Sequence, residues 1–79
     1  MKPQPAAAVD IRNEVCPMTY VRTKLALEAL EVGQVLEVHL RGEEPRRNVP
    51  ASAQEDGHAV LGLVPQEDGS DVLWLRKGG

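Results

Sequence analysis

The chain has one cysteine, Cys16, one tryptophan, one tyrosine and no phenylalanine. A single thiol cannot close an intramolecular disulfide. It also excludes a C-x-x-C redox pair and a cysteine-rich zinc site. With only two histidines beside it, Cys16 would give at best a poor three-ligand metal site, so no metal or cofactor is expected. A lone thiol without a disulfide fits a reducing, cytoplasmic setting. Two aromatic rings supply no platform for stacking bases. Nine Lys and Arg against twelve Asp and Glu leave a net charge of −3, with a pI of about 5.3. General nucleic-acid binding needs clustered basic charge, so direct contact with nucleic acid is not expected. No run approaches the roughly 20 apolar residues of a membrane span. The opening "MKPQPAAAV" carries one lysine and two prolines and leads into no long apolar segment, so it does not read as a secretory signal.

What is present is enough for one domain, near the lower size limit for a self-sufficient core. Residues 1–8 read as a flexible lead-in and residues 9–79 as the domain. "VDI" (9–11) reads as a short edge strand and "RNEV" (12–15) as a turn, where Asn13 tolerates a left-handed backbone. From 17 to about 31 the spacing predicts a helix. Tyr20, Thr23, Leu27 and Leu30 recur on one face with Ala26 alongside. Pro17 suits the first helical position, and Gly33 suits the end. Met18, Val21 and Leu25 form a second apolar line, flanked by Arg22 and Glu28. It either covers a sheet edge or docks a partner beside Cys16.

"QVLEVHL" (34–40) alternates, with Leu36, Val38 and Leu40 on one face. Residues 45–57 predict a second helix whose regularity Pro50 limits. "HAVLGLVPQ" (58–66) and "DVLWLRK" (71–77) predict a hairpin turned by Asp68-Gly69. The order is strand, helix, strand, helix, strand, strand. The first two strands should be parallel, through a right-handed crossover, and the last two antiparallel. Two helices cannot cover both faces of a four-stranded sheet, so the expected fold is an α+β two-layer sandwich with both helices on one face.

Cys16 stands where the first helix begins. A helix start presents unpaired N–H groups and a partial positive charge, and both favour a thiolate. Arg12 and Arg22 would add to this; Asp10 and Glu14 would oppose it. The same field would stabilise a persulfide anion, the product when a lone thiolate attacks sulfane sulfur. The bland alternative is a buried cysteine acting as a small apolar residue. Its position after a polar turn favours the carrier reading, and the missing second thiol speaks against disulfide exchange.

Asp10, Arg12, Cys16 and Pro17 resemble the "D-x-R-G-x-x-C-P-x-P" signature of the TusA/SirA-like sulfur carriers. "EEP" (43–45), "NVP" (48–50), "GH" (57–58) and the ending "LRKGG" (75–79) are similar to further elements of that family, in order. The resemblance covers residues 9 to 79. It implies a β-α-β-α-β-β sandwich with a four-stranded mixed sheet of order 1-2-4-3, similar to the C-terminal domain of bacterial translation initiation factor three. It also implies that Cys16 accepts sulfur as a persulfide. The donor would be a cysteine desulfurase or rhodanese-like protein, and an acceptor protein would take the sulfur onward. Destinations in the family include tRNA thiolation, cofactor synthesis and sulfur oxidation. On this reading Asp10, Arg12, Pro17 and Thr19 support the loop and helix start, while Met18, Val21, Arg22 and Leu25 are candidate partner contacts. Two positions depart from the signature: Asn13 replaces its glycine, and Thr19 replaces its second proline, giving "CPMT". The turn holding Thr19 is what a partner would touch.

The remaining polar residues have plainer readings. Arg12 either holds the loop through Asp10 or binds a partner's anion. His39 is a sheet-face residue, His58 opens a strand, and Trp74 packs. Glu43 and Glu44 complement a helix start. Arg46 and Arg47 oppose that dipole and read as solvated surface or a hint of partner binding. Two rival functions remain. One is a non-catalytic interaction or regulatory module. The other is a carrier that forms a thiocarboxylate on a flexible C-terminal Gly-Gly, which would require a β-grasp fold opening with a strand–strand hairpin.

Overall fold

The computed structural model describes residues 4–15 and 18–78. Among them the chain runs β1 (Ala7–Asp10), α1 (Met18–Glu28), β2 (Val35–Arg41), α2 (Glu43–Glu55), β3 (Ala59–Pro65) and β4 (Ser70–Arg76). The sheet order is β1-β2-β4-β3. β1 lies parallel to β2, and β4 is antiparallel to both β2 and β3. The fold is the expected two-layer α+β sandwich.

Alternation along the strands decides which face meets the helices. Leu36, Val38 and Leu40 of β2 pair across to Leu75, Leu73 and Asp71 of β4. The five apolar members of that set are fully buried, with Ile11, Leu27 of α1, and Val49 and Ala53 of α2. Burying a side chain of this size stabilises by roughly 1.5–3 kcal/mol. Glu37, His39 and Trp74 alternate onto the other face. There Trp74 Nε1 donates to Glu37 Oε1 at 3.2 Å, and His39 Nε2 lies 2.7 Å from Glu37 Oε2.

Three local features differ from expectation. β1 begins two residues earlier than "VDI" and stops at Asp10, and Ile11 leaves the strand to become part of the core. Asn13 does not use a left-handed backbone, because no non-glycine described residue has positive φ. The turn closes instead by Glu14 N–H donating to Ile11 C=O at 3.2 Å. α2 starts at Glu43 and continues through Pro50. Its core-facing Val49 and Ala53 outweigh the one backbone hydrogen bond that a proline nitrogen cannot make.

Lys77 and Gly78 are woven into the fold. Lys77 N–H donates to Gln34 C=O, and Gly33 N–H donates to Lys77 C=O, both at 2.9 Å. Lys77 Nζ reaches the carbonyls of Leu30 at 2.6 Å and Glu28 at 3.3 Å, satisfying the open end of α1. Gly78 N–H donates to His58 Nδ1 at 3.0 Å, and a Cβ at Gly78 would overlap the Gly57 carbonyl oxygen.

Candidate functional site

The loop after β1 is tethered at both ends. Ile11 N–H donates to His39 C=O at 2.8 Å, extending the parallel register one step past the strand. Arg12 then folds back on Asp10. Its Nε donates to Oδ1 at 2.9 Å, its Nη2 to Oδ2 at 2.8 Å, and its backbone N–H to Oδ1 at 3.0 Å. The two-pronged guanidinium geometry is the strong form of this contact. Those Arg12 donors hold the Asp10 carboxyl well below the usual carboxylate range, and the same pairing raises Arg12 further. This is the contact with Asp10 on which the loop-holding reading of Arg12 depends.

The far end of the loop is tied to α1. Arg22 Nη1 donates to Glu14 Oε1 at 2.8 Å, and Met18 N–H donates to Val15 C=O at 2.7 Å. Each arginine near the loop is therefore matched by the carboxylate that was expected to oppose it. No acidic side chain stands in the first turn of α1, where the helix amides carry a partial positive charge. Cys16 and Pro17 fill the chain between Val15 and Met18 and lie outside the described residues.

Around this point α1 divides its two apolar stripes cleanly. Thr19, Thr23 and Leu27 are buried, with Tyr20 and Leu30 packed against the core. Thr23 Oγ1 donates to Thr19 C=O at 2.9 Å. Thr19 is only 3% exposed, so within that turn its side chain faces the interior while Met18 stands in solvent. The second stripe stands largely in solvent. Val15, Met18, Val21 and Leu25 are 76%, 43%, 40% and 60% exposed. Val15 belongs to this surface although the sequence showed it only as part of a polar turn.

Three sets of contacts that sequence spacing could not reveal complete the surroundings. Asp68, in the β3–β4 turn, places Oδ2 3.5 Å from Arg41 Nη2 and 3.9 Å from Arg12 Nη1. Arg46 Nε donates to Asp71 Oδ2 at 2.9 Å, and the Asp71 side chain is nearly fully buried. This accounts for an arginine in the first turn of α2, where the helix dipole disfavours it. Tyr20 Oη donates to Asp56 Oδ2 at 2.6 Å, joining α1 to the end of α2. Burial first, and the Asp56 carboxylate second, push the phenol well above its ordinary value.

A family model described as Sulfurtransferase TusA matches residues 7–77. The "Putative sulfur carrier protein" of Archaeoglobus fulgidus is 46% identical over 55 residues, 70% of this chain and 62% of that relative, so the match spans less than two thirds of its length. "Putative sulfur carrier protein YrkI" of Bacillus subtilis is 39% identical over 72 residues, covering 89% of this chain and 92% of the relative. "Putative sulfur carrier protein YedF" of Escherichia coli K12 is 32% identical over 71 residues, 90% of each chain. Among solved structures, a SirA-like protein from Desulfitobacterium hafniense superposes with a TM-score of 0.80 at 26% identity, covering 92% of this chain and 99% of that one.

Proposed function

The chain belongs to the TusA sulfurtransferase family, and from that membership we propose that it is a persulfide carrier working through Cys16. The Cys16 thiolate attacks the outer sulfur of a donor's persulfide. The donor cysteine leaves as a thiolate, and Cys16 holds S–S⁻. An acceptor nucleophile then attacks the same outer sulfur and releases the Cys16 thiolate. At each step one bond to the outer sulfur forms as one sulfur–sulfur bond breaks, and the leaving thiolate keeps the electron pair, so the relay needs no added oxidant or reductant. A cysteine desulfurase or a rhodanese-like protein suits the donor role, and the cytoplasm suits the chemistry.

The observation that supports this reading most is the tethered loop of residues 11–15 that precedes the only cysteine in the sequence, together with a first turn of α1 free of acidic side chains. Asp10 and Arg12 hold the loop to β1, while Pro17 and Thr19 shape the helix start. Met18, Val21, Arg22 and Leu25 meet the partner. Residues 9–79 form the carrier domain, with 1–8 as its lead-in. No helix among the described residues is long and apolar enough to cross a membrane. A thiocarboxylate on the C-terminal glycines fits less well, because Gly78 is held by His58 and pressed against Gly57.

The test is mass spectrometry after incubation with an active cysteine desulfurase and cysteine. The expected result is a gain of one sulfur atom that a reductant removes and that Cys16→Ala abolishes. An unchanged mass, or a gain that persists in Cys16→Ala, overturns the proposal. A non-catalytic module of the same fold would instead keep its cellular role in Cys16→Ser.

A further inference from the structure

We propose that Asp68, in the β3–β4 turn, is a positioning residue of the sulfur loop: it is the counter-charge that lets Arg12 and Arg41 stand side by side. The proposal rests on the carrier reading only for its effect on sulfur transfer. The placement itself rests on geometry. Asp68 divides its two oxygens between two tasks. Oδ1 accepts from the Ser70 N–H at 3.0 Å and from the Ser70 hydroxyl, which closes its own turn. Oδ2 faces Arg41 Nη2 at 3.5 Å and Arg12 Nη1 at 3.9 Å.

Arg12 has already committed Nε and Nη2 to Asp10. Nη1 is the remaining corner of its guanidinium, and it is the corner that faces the hairpin. Arg41 is the last residue of β2. Three separate segments therefore meet on one carboxylate: the loop after β1, the end of β2, and the turn between β3 and β4. With Asp68 neutralised, two guanidinium groups that each lie within 4 Å of the same Asp68 oxygen would lose the carboxylate they share. Like charges at that separation repel at moderate ionic strength. Arg41 is fixed by its strand, whereas Arg12 belongs to a loop, so the loop is the part that yields.

Asp68→Asn separates this role from turn formation, because the amide oxygen still accepts from Ser70 while the charge is gone. Amide hydrogen exchange across residues 12–15 should quicken by about two- to fivefold, the scale of an exposed ion pair. The melting temperature should stay close to that of the parent. Sulfur loading of Cys16 by a cysteine desulfurase should slow over the same range. Adding Arg41→Gln removes the repelling charge, so Asp68→Asn/Arg41→Gln should return both rates towards the parent. High salt should shrink the difference between Asp68→Asn and the parent. Loop exchange that is unchanged in Asp68→Asn, or a change that Arg41→Gln fails to reverse, overturns the proposal. If the parent protein never takes up sulfur, the carrier reading fails, and the exchange measurement still decides the placement of Asp68.

Discussion

At the scale of residues, the firmest contact near the loop joins two side chains only two positions apart. Asp10 is an ion-paired acceptor whose folded-state affinity for a proton is far below that of a free aspartate, chiefly because of the Arg12 side chain. A depressed value means that the unfolded chain binds the proton first. The contribution is fully present above the ordinary value of 3.8 and is lost as pH falls through the lower, folded-state value. The Asp10 carboxyl, followed by NMR, should titrate well below 3.8, and Arg12→Gln should return its midpoint towards that number. Gly78 presents a steric problem in place of an electrostatic one. Gly78→Ala would drive a methyl group into the Gly57 carbonyl oxygen and should destabilise by about 1–3 kcal/mol in urea unfolding. The aspartate–arginine pair was legible in the sequence, since close spacing and opposite charge suffice. Asn13 was misread, because its tolerance of a left-handed backbone is a permission that this turn does not use. Asp68 was invisible as a site residue: its partners lie 56 and 27 positions away, at Arg12 and Arg41, and local pattern carries no trace of that.

At the scale of elements, α1 carries two apolar stripes with different consequences. Leu27 is fully buried and Leu25 is mostly exposed. Leu27→Ala should cost about 2–5 kcal/mol through lost packing and the cavity left behind. Val21→Ser together with Leu25→Ser should cost less than about 1 kcal/mol. That double variant should nevertheless slow sulfur transfer from a donor protein. Transfer at the parent rate would remove these side chains from the partner surface. α2 is held at its start by Arg46 on the buried Asp71. Arg46→Met leaves that carboxylate without its partner and should lower stability by about 1–3 kcal/mol in thermal unfolding. Helical spacing disclosed both stripes of α1, and strand alternation disclosed the buried face of β2. Neither could say that the second stripe would stand open to solvent, or that an arginine in an unfavourable place was answering a carboxylate on another strand.

At the scale of the molecule, the parallel first pair, the final hairpin and the single helical layer followed from element order and a right-handed crossover. The position of β4 between β2 and β3 did not. Strand order depends on which faces and edges fit once the chain has folded, and the expectation for it came from the family resemblance. The end of the chain was likewise unreadable as an anchor. Nothing in the local pattern singles out Lys77, whose ammonium sits on the carbonyls of Glu28 and Leu30. Lys77→Met should lower the melting temperature by a few degrees, through about 0.5–1 kcal/mol. Hydrogen exchange should show the fraying confined to the last turn of α1.

Trp74 is the only indole in the protein, and its place on the sheet face turned away from the helices governs what light can report. Its ring is almost fully buried and tied to Glu37, so its emission will follow melting of the strands faithfully. A protein that grips α1 from the opposite side should leave that emission nearly silent. Optical titrations of such an encounter therefore need a dye placed on the helical layer, with the native fluorophore kept as the control for an intact sheet.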